Sequence, residues 1–169
     1  MLFKNAFEQQ PTLRFVYEKL QFYSVLGRQY LLNQPFITDT NTLSSEHERL
    51  AMVMELWQDT SRRPVFSHLS QQIHQLNTIA PTLSALSNGA VLDDIQLFEI
   101  KKTAILTNVI AQDIQKLGIS WLEYAPMGEV ITILDPEHTF IPHFYVYSAY
   151  DEELACLREK MKSVNNTQE

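Results

Sequence analysis

Along most of this chain the apolar residues recur every three or four positions, the signature of helix faces, and the interruptions divide it into elements. Leu13, Val16, Tyr17 and Leu20 follow Pro11-Thr12 at that spacing, so a first helix is expected there, with Thr12 able to cap it. Ser24 directly precedes a short second helix, Val25 to Leu32, which Pro35 keeps from continuing. Pro35 to Asn41 reads as a connection. Ser45 and Glu48 then fit a capping box, with Asn41 or Thr42 as earlier starts for the same helix. Leu43, Leu50, Val53, Met54 and Trp57 make its apolar stripe, which ends near Asp59. Pro64 suits the first turn of the next helix, along which Phe66, Leu69, Ile73 and Leu76 form a narrow seam.

Pro81 breaks that pattern, and a brief helix from Thr82 to Ser87 is expected to stop at Asn88-Gly89. Asp93 and Gln96 form a second capping-box pattern. It opens the longest helix, which runs to Leu117, stops at Gly118 and measures about 36 Å at 1.5 Å per residue. Apolar residues such as Leu97, Ile100, Leu106, Val109 and Ile114 cover more than one of its faces, which predicts a central element buried on several sides. Trp121 to Pro126 adds a turn. Past Gly128 the residues become β-branched and aromatic, and Asp135-Pro136-Glu137 reads as a turn, so a short β-hairpin or extended segment is expected over 130–147. A last helix opens at Ser148 or Asp151. Its Leu154, Leu157, Met161 and Val164 repeat at coiled-coil spacing, over a length too short to be stable alone. Residues 165–169 are polar and expected to fray. The sum is a mainly α bundle of six or seven helices in a single domain, 1–169.

Composition narrows this further. A chain of 169 residues fits one domain, and 45% apolar with 20% charged residues places it among globular chains, away from disordered ones. The single cysteine, Cys156, leaves no internal disulfide and no Cys-rich zinc site, and is expected as buried filler. Gly27, Gly89, Gly118 and Gly128 stand too far apart to cradle a phosphate. No basic start followed by an apolar run marks a signal peptide, and no stretch nears the ~18–20 apolar residues of a bilayer span. The expected location is the cytoplasm, with no membrane partner. The net charge of −7 is concentrated in the last quarter. Arg62-Arg63 and Lys101-Lys102 are the only basic pairs and read as solvated residues, so the isolated chain lacks the footprint of a DNA-binding surface.

The candidate chemistry is sparse. His68 and His74 are six apart on one predicted helix and so lie on different faces, unlike a metal-binding pair. His138 and His143, with Asp135 and Glu137 nearby, are the one visible seed of a metal site, weighed against an ordinary polar loop. Asp93-Asp94 and Glu152-Glu153 sit at predicted helix starts, where the dipole favours negative charge without catalysis. Cys156 has no histidine on its face to act as base. Phe144, Tyr145, Tyr147 and Tyr150 lack interleaved Arg or Lys, which favours a core or interface role over base stacking. No catalytic, cofactor-binding or metal-ligating residue is assigned, and no enzyme is indicated.

Two segments resemble a known family. The first runs Ser24-Val-Leu-Gly27-Arg28-Gln-Tyr-Leu31 through Pro35-Phe36-Ile-Thr-Asp39 into a helix with Glu48-Arg49-Leu50, Val53 and Leu56. It resembles the start of the core/lever region (domain III) of MutS-family DNA mismatch repair ATPases. The second, Leu134-Asp135-Pro136 to Pro142-His-Phe144, then Ser148-Ala-Tyr-Asp and Leu154, Leu157 and Arg158, resembles the segment leading into that family's outgoing lever helix. The likeness covers residues 13–60 and 130–162 and is closest to the shorter branch, since no mismatch-reading domain precedes the lever. It implies a non-catalytic helical core/lever domain coupling DNA binding to a C-terminal ATPase. Its partners would be that ATPase domain and the lever helices of the same protein, with DNA engaged, and ATP and magnesium bound, by the full-length protein only. A homodimer is a further partner to test. There is no P-loop here, so none of the family's nucleotide-binding residues carries over. On this reading the seam of the last helix should be exposed in the isolated chain or paired with a second copy. The alternative is a stand-alone helical protein–protein interaction module using Phe144 to Tyr150 as its contact surface.

Overall fold

The structure, a computed structural model, describes residues 2–165. Among these residues nine α-helices follow in order: α1 (Phe3–Gln9), α2 (Pro11–Lys19), α3 (Val25–Leu32), α4 (Thr40–Gln58), α5 (Arg63–His74), α6 (Ala80–Ser87), α7 (Asp94–Leu117), α8 (Gly128–Leu134) and α9 (Glu152–Asn165). A 3₁₀ turn, Ser148–Tyr150, precedes α9. An isolated bridge between Leu2 and Pro35 is the β feature recorded among the described residues. The chain is mainly helical, and the helices beyond the expected six or seven are α1 and α8.

Local signals set several boundaries. The Ser24 hydroxyl accepts from Gly27 N at 3.0 Å and starts α3. Asp93 and Gln96 bond reciprocally, Gln96 N to Asp93 Oδ1 at 2.7 Å and Asp93 N to Gln96 Oε1 at 3.0 Å, and α7 ends at Gly118 with φ +76°. α4 starts earlier than Ser45: Asp39 caps it, accepting from Thr42 N at 2.7 Å, an alternative to the expected capping box. Pro81 opens α6 in its first turn and does not merely end the preceding pattern.

The expected β-hairpin over 130–147 is corrected. Residues 128–134 are helical, and the following stretch turns and extends without a strand ladder. β-Branched residues favour a strand only when a pleated neighbour packs beside them. Here the backbone is satisfied within one helical turn, Thr132 Oγ1 also donates to Gly128 O at 3.0 Å, and Ile131 is buried. Asn165, expected to fray, is the last residue of α9; 166–169 lie outside the described residues.

The chain divides into two compact units, residues 1–78 with 106–124, and residues 79–105 with 125–169. In the first, Phe66, Leu117 and Ile119 form a buried core against which Val53, Leu56, Leu69, Ile114 and Trp121 pack. Its N-terminal part gathers around buried Tyr17, whose ring neighbours Phe3, Phe7 and Phe22 and whose hydroxyl accepts from Arg28 Nε at 2.6 Å. In the second unit, Lys101, Ala104, Ile131, Asp135 and Tyr147 are buried. α7 contributes its first half to the second unit and its last half to the first. From Gln96 to Ala111 no residue of α7 is exposed, as its many-sided apolar pattern predicts.

Candidate functional site

Three features stand out: two charges buried on α7 and a set of apolar faces left open. Lys101, expected as a solvated residue, is 1% exposed. Its Nζ lies 3.2 Å from Asp135 Oδ2 and donates to Tyr147 Oη at 3.0 Å. Asp135, fully buried, also accepts from Thr139 N at 3.1 Å, Thr139 Oγ1 at 3.0 Å and Phe140 N at 2.8 Å. The Thr139 and Tyr147 hydroxyls, 2.7 Å apart, close the network, and either can donate to the other. Burial alone would raise the pKa of Asp135. The neighbouring Tyr147 hydroxyl, the Phe140 and Thr139 N–H groups and Lys101 outweigh it and hold the carboxyl well below the ordinary carboxylate range.

These bonds also fix the loop around the carboxylate. His138 and Phe140 adopt φ +50° and +52°, a left-handed backbone that costs a non-glycine residue about 1–2 kcal/mol. Asp135 holds that loop by receiving the N–H groups of Thr139 and Phe140. Among the described residues no buried side-chain nitrogen or oxygen lacks a partner. The arrangement is a lock on the 135–147 segment.

The second charge lies in the other unit. Asp113 is 1% exposed and meets His68 Nδ1 at 2.5 Å and Lys116 Nζ at 2.9 Å. Burial would raise its pKa; the bonds and charges of Lys116 and His68 prevail and lower it. On the other side of the ring, the Gln72 side-chain nitrogen lies 3.1 Å from His68 Nε2. A His–Asp pair is the positioning half of a hydrolytic triad, which also needs a nucleophile at Nε2. An amide stands there instead.

The remaining sequence candidates stay apart. His74 Nδ1 lies 3.0 Å from Tyr23 O, while His47, His138 and His143 are exposed. Among the described residues no group of three or more His, Cys, Asp or Glu is placed to hold a metal ion. The carboxylate of Asp135, part of the expected metal seed, is turned inward to Lys101. Asp93 caps α7, and Glu152 and Glu153 occupy the first turn of α9. Cys156 is exposed, against the expectation of buried filler. Arg62 is committed: its Nη1 donates to Leu117 O at 2.9 Å, a cation on the last carbonyls of α7. Within the expected Phe144–Tyr150 contact surface Tyr147 is fully buried and Arg158 lies 4.7 Å over the Tyr145 ring, while Val146 and Tyr150 are exposed.

Other apolar faces are exposed as well. On α9, Leu157, Met161 and Val164 are 51%, 67% and 59% exposed. On α4, Leu43, Leu50, Met54 and Trp57 of the predicted stripe are exposed, while Val53 and Leu56 pack on the core. In the second unit an open groove of about 550 Å³ runs between α6, the first turns of α7, and α8, lined by apolar residues including Leu83, Leu86, Val91, Leu97 and Ile133. No helix among the described residues is long and apolar enough to cross a membrane. Compared with protein-family models, curated proteins and solved structures, the chain matches none.

Proposed function

We propose that this chain is the non-catalytic helical core/lever domain of a MutS-like DNA repair or recombination protein, working in the cytoplasm. In the complete protein it couples DNA binding to an ATPase domain, which supplies the ATP and magnesium sites. The observation that carries the reading is the open stripe of α9. A two-heptad seam with Leu157, Met161 and Val164 in solvent is what the first strand of a lever looks like before the strand beside it is present. The first motif supports it too: Gly27 and Arg28 lie on α3, Pro35 follows, Asp39 caps, and Glu48 to Leu56 lie on α4. The two buried charge networks support a mechanical role, since both are spent within the fold.

The test is to read the source gene past the codon for Glu169 and assay the complete product. An open frame reaching a Gly-x-x-x-x-Gly-Lys-Ser/Thr loop, with ATP hydrolysis stimulated by DNA, is the expected result. A stop codon directly after Glu169 overturns it. The second reading, a stand-alone helical interaction module, is favoured by the apolar groove of α6–α8, which the lever reading leaves without an occupant.

A further inference from the structure

The groove between α6, α7 and α8 is apolar inside and acidic at its margin. α6 carries no charged residue; at about 100° per residue the exposed Glu129 falls beside the lining Ile133 on α8, and the exposed Asp94 lies one turn before the lining Leu97 on α7. The lysines of these elements before the middle of α7 are Lys101, buried against Asp135, and Lys102, half-buried. The end of α9 has the opposite character. At about 100° per residue Lys160 falls beside Val164 at one edge of the exposed stripe, and it lines the same shallow hollow as Leu157, Met161 and Val164. Arg158 stands at the other edge, over Tyr145, and Glu159 falls on the opposite face.

We propose that the stripe at the end of α9 docks into the groove of a second copy of this chain, each copy giving one stripe and receiving one. Three large apolar side chains at helical spacing meet an apolar groove, the mode by which amphipathic helices are bound. Lys160 of one copy meets the acidic margin of the other, which sets orientation and partner choice. The reciprocal exchange closes on itself as a two-fold dimer and leaves no free end to extend. This goes beyond the lever reading and does not rest on it. α9 has one stripe, so a lever strand lying along it and a partner's groove exclude one another, and the dimer belongs to the chain whose stripe is uncovered.

The test is sedimentation equilibrium of the 169-residue chain at low and high salt. The expected result is a concentration-dependent dimer of twice 19.6 kDa, weakened roughly tenfold between about 0.05 and 0.5 M salt as surface charges are screened. Met161→Glu and Ile133→Glu each return it to monomer with an unchanged helical circular dichroism spectrum, because both side chains already lie in solvent. Lys160→Glu weakens self-association, and mixing that variant with Glu129→Lys restores a mixed dimer. A monomer at every concentration overturns the proposal. So does a dimer that survives Ile133→Glu, which would place the contact on another face such as that of α4.

Discussion

α7 buries one charge in each of its halves, and the two are enclosed differently. Lys101 is surrounded by partners that are themselves out of solvent, Asp135 and Tyr147. Asp113 is just as buried, but its partners lead outward: the His68 and Lys116 side chains are 47% and 59% exposed. In the first case the whole cost of desolvation falls on the network, so it holds only while every member is present. In the second, water keeps much of each partner's hydration, and losing one leaves a site that solvent can help to repair. The closed network fixes the 135–147 segment from which α9 departs. The open one ties α5 to α7 within the first unit.

Removing a member of each network tests that difference. Asp135→Asn leaves Lys101 as a buried charge without a counter-charge and should cost about 3–5 kcal/mol in denaturant unfolding. Adding Lys101→Met to that variant should recover a good part of the loss, the sign of a coupled pair. A double variant no more stable than Asp135→Asn would mean that the two residues act independently. Asp113→Asn should cost less, about 1–3 kcal/mol, because an amide still accepts from one partner and the other turns to water. If it proved as costly as Asp135→Asn, exposure of the partners would not be what separates the sites.

Acid titration gives a smaller and distinct effect. Both carboxylates are held below the ordinary value of 3.8, so on acidification the unfolded chain takes up their protons first. Their contribution is full above the unfolded value, about pH 4, and is lost as the pH falls toward the folded values. The slope of stability against pH below 4 should therefore flatten in Asp113→Asn, measured by urea unfolding at several pH values. An unchanged slope would show that Asp113 is not depressed in the fold. The smallest effect is expected from Lys116→Ala, under about 1 kcal/mol, as for other ion pairs with one exposed partner.

Local chemistry was readable in the sequence, and distant pairing was not. The Ser24 cap, the reciprocal Asp93–Gln96 box and the stop at Gly118 each involve residues at most three apart, or one residue's own φ. The all-round apolar pattern of α7 likewise announced the stretch from Gln96 to Ala111 in which no residue is exposed. Lys101, Asp135 and Tyr147 lie up to 46 positions apart, and nothing in a pair of adjacent lysines says that one of them turns inward. The helix at 128–134 was hidden because its β-branched residues fit a strand equally well until a pairing partner is sought. α1 had a signal, Phe3, Ala6 and Phe7 at helical spacing just ahead of Pro11. The outward face of α4 was visible as a stripe, but periodicity cannot tell a stripe that packs from one left open.

The buried charges Lys101 and Asp113 are paired within the fold, and on the proposed reading the working surfaces are the open apolar faces, that of α9 foremost. Hydrogen exchange of the dilute monomer, followed by mass spectrometry, puts both halves of that statement to the test at once. Slow exchange is expected through the buried stretch of α7, and fast exchange over Leu157 to Val164, where only the helix's own bonds protect the amides. Protection of α9 equal to that of α7 in the monomer would contradict it, because the stripe would then be covered within the chain and would serve neither a lever strand nor a partner's groove.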